Sequence, residues 1–139
     1  MFQDECNAIA QAVKVKVALL KNNLSGYFIA SMLAGIYVGL AIFLIYSIGG
    51  MLEGAPYTKT LMGVSFGISL SLVIVAGAEL FTGNNMAMTI GLFRKTTSFG
   101  ELLWLWLVCF IGNWVGSLLV AVLFFYSGLV TGNIADFIG

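Results

Sequence analysis

The stretch whose reading decides the fold is Leu61 to Phe93, LMGVSFGISLSLVIVAGAELFTGNNMAMTIGLF, and within it residues 77–85, Gly-Ala-Glu-Leu-Phe-Thr-Gly-Asn-Asn. Its 33 residues are apolar enough for a bilayer, but they are too many for one straight crossing. A hydrocarbon core about 30 Å thick takes roughly 20 helical residues. The excess has a visible cause: an acid, two glycines and two asparagines fall in the middle. Glycine costs a helix interior about 1 kcal/mol relative to alanine, and asparagine bonds its own backbone in place of the helical ladder. The pattern predicts a broken helix: Leu61 to about Ala78, a non-helical stretch around Leu80 to Asn85, then a half-helix to about Leu92. Irregular backbone at membrane depth is tolerated only where protein buries it or where it lines a watery cavity. The break therefore points to a path across the membrane.

Two further apolar segments flank this one, Tyr27 to Ile48 and Leu102 to Val130, both free of charge. The whole chain of 139 residues is 60% hydrophobic and 9% charged, with six cations and six acids. Soluble domains carry about 25% charge, so a soluble globule and a disordered chain are both excluded. Zero net charge removes the basic footprint of a nucleic-acid binder. There is no histidine, which argues against histidine metal sites and acid–base catalysis; no metal or cofactor is expected, and the chain does not read as an enzyme. Of the two cysteines, Cys109 lies in an apolar run and reads as a small hydrophobe.

Orientation follows from the cations. Lys14, Lys16 and Lys21 precede the first span, Arg94 and Lys95 follow the second, and Lys59 alone lies between them. If residues 61–93 cross once and the N-terminus is cytoplasmic, five of six cations are on the cytoplasmic side. Residues 1–26 place Ile9, Val13 and Val17 at helical spacing and predict a helix lying along the cytoplasmic surface of the membrane. They open with Asp4 and Glu5 and do not resemble a cleavable signal. Residues 49–60 hold the one proline and predict an external loop. Small residues four apart recur once per span, as Gly35/Gly39, Gly63/Gly67 and Gly112/Gly116, which predicts close helix packing in each.

Certain of these residues resemble a known family. Leu33-Ala34-Gly35-Ile36-Tyr37-Val38-Gly39, Ala76-Gly77-Ala78-Glu79-Leu80-Phe81-Thr82-Gly83-Asn84 and Gly112-Asn113-Trp114-Val115-Gly116 are similar to motifs of the formate–nitrite transporters, with wording like that of the nitrite and hydrosulfide branches. The resemblance runs from about Lys21 to the end of the chain. It implies an all-α integral membrane fold with three transmembrane spans, the second broken, forming one inverted repeat of an aquaporin-like six-helix subunit in a homopentamer. It also implies that Leu80, Phe81 and Thr82 sit on the loop of the broken helix. Leu80 would contribute to an apolar constriction, and Thr82 would offer a hydroxyl to the anion or to a central histidine. Family members are about twice as long by the inverted-repeat scheme. The C-terminal half, with that histidine and a second gate, would be missing, as in a fragment or a split protein needing its partner.

On these readings, residues 1–26 form a cytoplasmic interfacial segment and residues 27–139 a transmembrane half-domain. The expected function is a subunit or half-subunit of a channel or transporter for small monovalent anions across the cytoplasmic membrane, nitrite before formate or hydrosulfide. The alternative is a non-transporting membrane scaffold, in which the break only serves packing. Glu79, Gly83 and Asn84 are expected to stabilise the loop. Glu79 would accept bonds from the freed N–H groups rather than carry protons, because an acid facing an anion path repels its substrate. Asn84 and Asn85 would cap the second half-helix, whose positive end would face the break. The lysines of residues 1–26 would contact anionic lipid heads or draw anions to a cytoplasmic mouth. Trp104 fits an interfacial belt and Trp114 the interior of the bundle.

Overall fold

The computed structural model describes residues 2–138; Met1 and Gly139, the outer ends of the two expected segments, lie outside the described residues. Among the described residues the regular structure is all helical, with α1 at Phe2–Asn22, α2 at Leu24–Met51, α3 at Thr58–Ala76, α4 at Phe81–Phe93, α5 at Phe99–Tyr126 and α6 at Asn133–Ile138. Three of these, α2, α3 and α5, are long and apolar enough to cross a membrane.

The pair α2–α5 is the spine. Ser31 meets Gly112, Met32 meets Gly116, Gly39 meets Val120, and the Phe43 and Phe124 rings lie 3.9 Å apart between centroids. Residue numbers rise together along both helices, so they run parallel. Glycine is what lets them come so near. A Cβ added at Gly35 would stand 2.0 Å from the Asn113 carbonyl oxygen, and one at Gly116 2.0 Å from that of Met32. Two of the three glycine pairs thus build one interface, as packing between membrane helices favours. Gly63 and Gly67 on α3 do not: a Cβ at either meets nothing within 4 Å among the described residues.

Helix α3 descends along α2, from Thr58, whose hydroxyl donates to the Leu52 carbonyl, to the turn beyond Ala76, where Glu79 N–H donates to Ala30 O at 3.1 Å. Helix α4 continues in the same sense along α5. Phe81 stacks edge-on against Phe110, Asn84 lies beside Trp106 and Cys109, and Gly91 meets Val13 of α1. Parallel α2 and α5 require this return between them.

The helix boundaries differ from the sequence reading in instructive ways. The non-helical stretch expected at 80–85 lies at 77–80 instead. Gly77 ends α3 in the left-handed conformation (φ 63°), with Gly77 N–H donating to Ile74 O at 3.2 Å and Ala78 N–H to Val73 O at 3.0 Å. That is the two-bond glycine cap which satisfies the last carbonyls of a helix. Gly83, Asn84 and Asn85, expected to break the chain, are inside α4; for Asn84, tertiary partners outweigh its weak helix propensity. Phe81 and Thr82, expected on the loop, are the first residues of that helix. At the far end α5 stops at Tyr126, short of the expected Val130, where Gly128 takes φ 75°. Gly49 to Met51 and Thr58 to Thr60, expected in a loop, extend α2 and α3.

Helix α1 carries Ala10, Val13, Val17 and Leu20 on one buried stripe, with Ile9 packed beside it. The stripe goes into the protein, chiefly against α4, rather than being left for lipid. Ser98 starts α5 with a capping box: its hydroxyl takes the Glu101 N–H, and Glu101 takes the Ser98 N–H at 2.8 Å.

Candidate functional site

The four residues between α3 and α4 are held by side chains from α1, α4 and α5 and by a backbone carbonyl of α2. Asn113, in the middle of α5, spans the turn. Its Oδ1 accepts the Phe81 N–H at 3.0 Å, and its Nδ2 donates to the carbonyls of Glu79 and Ser31, each at 2.9 Å. Leu80 occupies the cap position of α4 and has no side-chain oxygen to offer, so α5 supplies the acceptor that the start of a helix needs. The Cys109 thiol also donates to Glu79 O, at 3.2 Å. Cys109, expected as a plain hydrophobe, is therefore part of the polar network.

The Glu79 carboxylate is buried, with 9% of its side chain exposed, and its Oε2 meets Lys16 Nζ of α1 at 2.5 Å. The same oxygen accepts from Asn84 Nδ2 at 2.9 Å. Its expected partners, the freed backbone N–H groups, go elsewhere: Phe81 N–H goes to Asn113. Asn84 is not a cap either. It is buried in the first turn of α4, with Nδ2 within 2.9 Å of Tyr27 Oη and 3.3 Å of Cys109 Sγ. Glu79, Asn84, Tyr27 and Asn113 each have a partner here, which a low-dielectric interior requires; the Asn85 Oδ1 one position on is buried without one among the described residues. Of the three lysines read as contacts for lipid heads, Lys16 pairs with Glu79 and Lys21 with Glu101.

Two cavities meet at the turn. One, of about 300 Å³, is lined by Lys16, Val73, Ile74, Leu80, Gly83 and Asn84 among others. The second, also about 300 Å³, is lined by Gly35, Leu80, Phe81, Thr82, Asn113 and Trp114 among others. Leu80 lines both. Thr82 and Gly83 are exposed at the start of α4, whose hydrogen-bond ladder begins with Asn84 N–H to Leu80 O at 3.0 Å. Their N–H groups belong to the positive end of that helix, which suits an anion. Trp114, expected inside the bundle, is 58% exposed on the wall of the second cavity.

The six residues expected at the site run consecutively through the turn and the first turn of α4, Glu79 and Leu80 before the helix and Phe81 to Asn84 within it. Lys16, Tyr27, Asn113 and Cys109 were missed as members. Asn113 stood in one of the quoted motifs, and Lys16 lies 63 positions from its partner. Nothing local in the sequence pairs the two.

Apolar spanning helices around a polar turn flanked by cavities define a membrane protein of the channel or transporter class. Comparison with known proteins agrees. The family model for the formate/nitrite transporters matches residues 3–138, and the chain belongs to that family. It is 42% identical over 129 residues to the nitrite transporter NirC of Salmonella typhimurium, covering 92% of this chain and 47% of that protein. It is 34% identical over 131 residues to a probable formate transporter of Methanothermobacter thermautotrophicus, covering 91% of this chain and 44% of that one. A solved FNT family ion channel superposes with a TM-score of 0.85 at 40% identity, over 91% of this chain and 50% of that chain. The chain spans about half the length of the curated relatives it matches. The family is one of transporters and channels, not enzymes.

Proposed function

We propose that this chain supplies one half of a conduction path for a small monovalent anion, nitrite before formate or hydrosulfide, with Leu80 as its apolar constriction. The observation that carries the reading is that Leu80 belongs to two cavities, one bearing Lys16 and Asn84, the other Thr82 and Asn113. A constriction of this kind excludes hydrated ions, while the start of α4 and the Thr82 hydroxyl favour a partly dehydrated anion. Lys16 draws the anion in and cancels the Glu79 carboxylate, which would otherwise repel it.

In this reading α3 and α4 together make one interrupted crossing, about 28 Å and about 20 Å of helix at 1.5 Å per residue. Helices α2 to α5 then form one inverted repeat, and a second repeat closes the open side of the cavities. The N-terminus is cytoplasmic, since Lys14, Lys16, Lys21, Arg94 and Lys95 gather toward one end and Lys59 stands at the other. Glu79, Gly83 and Asn84 hold the turn, and the assembled protein is a homopentamer in the cytoplasmic membrane, with lipid around it. Stopped-flow nitrite uptake into proteoliposomes tests the reading. Uptake by the protein reconstituted with the second half is expected, and none at all would leave the scaffold reading in its place.

A further inference from the structure

The segment after α5 takes no part in the turn, yet it is seated with care. Gly49 and Gly50 are adjacent glycines within α2, a costly choice in a helix. A Cβ at Gly49 would stand 2.4 Å from the Phe137 ring, and one at Gly50 2.5 Å from Ile134 Cα. The two glycines are therefore the seat of α6. Tyr46 adds an edge contact to Phe137, with centroids 6.4 Å apart. Ile134 is buried on this seat, whereas Asn133 and Asp136 face outward and are exposed.

Ile138 reaches past the seat to line an apolar cavity of about 360 Å³ between α2 and α5. That cavity shares Val38 and Ser117 with the one that reaches Leu80 and Thr82. Helix α6 thus lies over the end of the α2–α5 groove remote from Lys16. Its tether to α5, residues 127–132, is exposed for most of its length and turns through Gly128 (φ 75°) and Gly132 (φ 53°). A Cβ at either glycine meets nothing within 4 Å among the described residues, so the tether has open space at both of its turns.

We propose that α6 is a lid that rocks off its glycine seat on α2, opening and closing the far mouth of the α2–α5 groove. The lid rests on the proposed anion path continuing from the Leu80–Thr82 cavity into this groove through their shared Val38 and Ser117, but its geometry can be tested apart from transport. Ser117→Cys places a thiol in the groove, and its modification by a membrane-impermeant maleimide is timed in proteoliposomes, with the rate of the natural cysteines subtracted. Gly50→Ala, which pushes against the Ile134 backbone, and Ile134→Ser, which removes the anchoring side chain, are each combined with it. Both are expected to speed modification about tenfold. Equal rates in all folded proteins would overturn the lid, and Ile134→Ser decides the matter if Gly50→Ala does not fold. Nitrite uptake measured on the same vesicles separates the two ideas. Faster labelling without uptake in any sample keeps the lid and contradicts transport; uptake with unchanged labelling does the reverse.

Discussion

The α2–α5 interface and the turn at residues 77–80 lie side by side and are held by opposite means. The interface is apolar and tight: helices meet at glycines, with backbone atoms where side chains would be. The turn is polar and loosely filled, fixed by Asn113, Cys109, Asn84 and Lys16 from other parts of the chain. In a membrane the first arrangement stabilises by contact and close approach. The second satisfies groups that lipid cannot. Rigidity in one makes irregularity possible in the other, since Asn113 is aimed by the same helix face that packs on Gly35.

The comparison can be broken most severely on the tight side. Gly116→Leu sets a side chain against the Met32 carbonyl, and overpacking of this kind costs about 3 kcal/mol or more. Loss of the folded, monodisperse species in detergent is the expected result, read by size exclusion and thermal melting.

On the polar side, Lys16→Met should be the costliest change, because it leaves the Glu79 carboxylate buried without its cation. Stranding a fully buried charge costs about 3–5 kcal/mol; here the expectation is about 2–3, since 26% of the Lys16 side chain is exposed. Glu79→Gln should cost less, and the double variant less than the sum of the two, as measured by chemical denaturation in a double-mutant cycle. Additive losses would show that the pair does not act as one.

Asn113→Ala comes next. It strands the Phe81 N–H and the Glu79 carbonyl, and buried groups left unsatisfied cost about 1–3 kcal/mol. Faster amide exchange at Phe81 is the specific readout. The smallest effect belongs to Gly63→Ala, where a Cβ meets nothing among the described residues and a surface change stays within about 0.5 kcal/mol. A large loss in melting temperature there would show that the α3 face is covered by protein in the assembled state.

The same contrast explains what the sequence disclosed. Apolar spans and glycine pairs are local patterns, so α2 and α5 were legible to within a few residues. Residues 77–85 announced an interruption for the same reason. Its exact place was not legible, because Gly77 and Gly83 look alike in sequence and only the fold makes Gly77 the left-handed cap. Asn84 was read as a cap from its residue type, but Tyr27, 57 positions away, gives it a buried partner. Lys16 looked like one surface cation among three. Long-range pairing is invisible to periodicity, and the site is built almost wholly from it.

The central claim is that Leu80 separates two compartments of one anion path. Stopped-flow nitrite uptake into proteoliposomes carrying the protein together with the second half, compared between wild type and Leu80→Ala, tests it most directly. Opening an apolar constriction should raise uptake several-fold and relax selectivity toward larger anions, with the melting temperature little changed. Identical uptake and selectivity in the two proteins would contradict it.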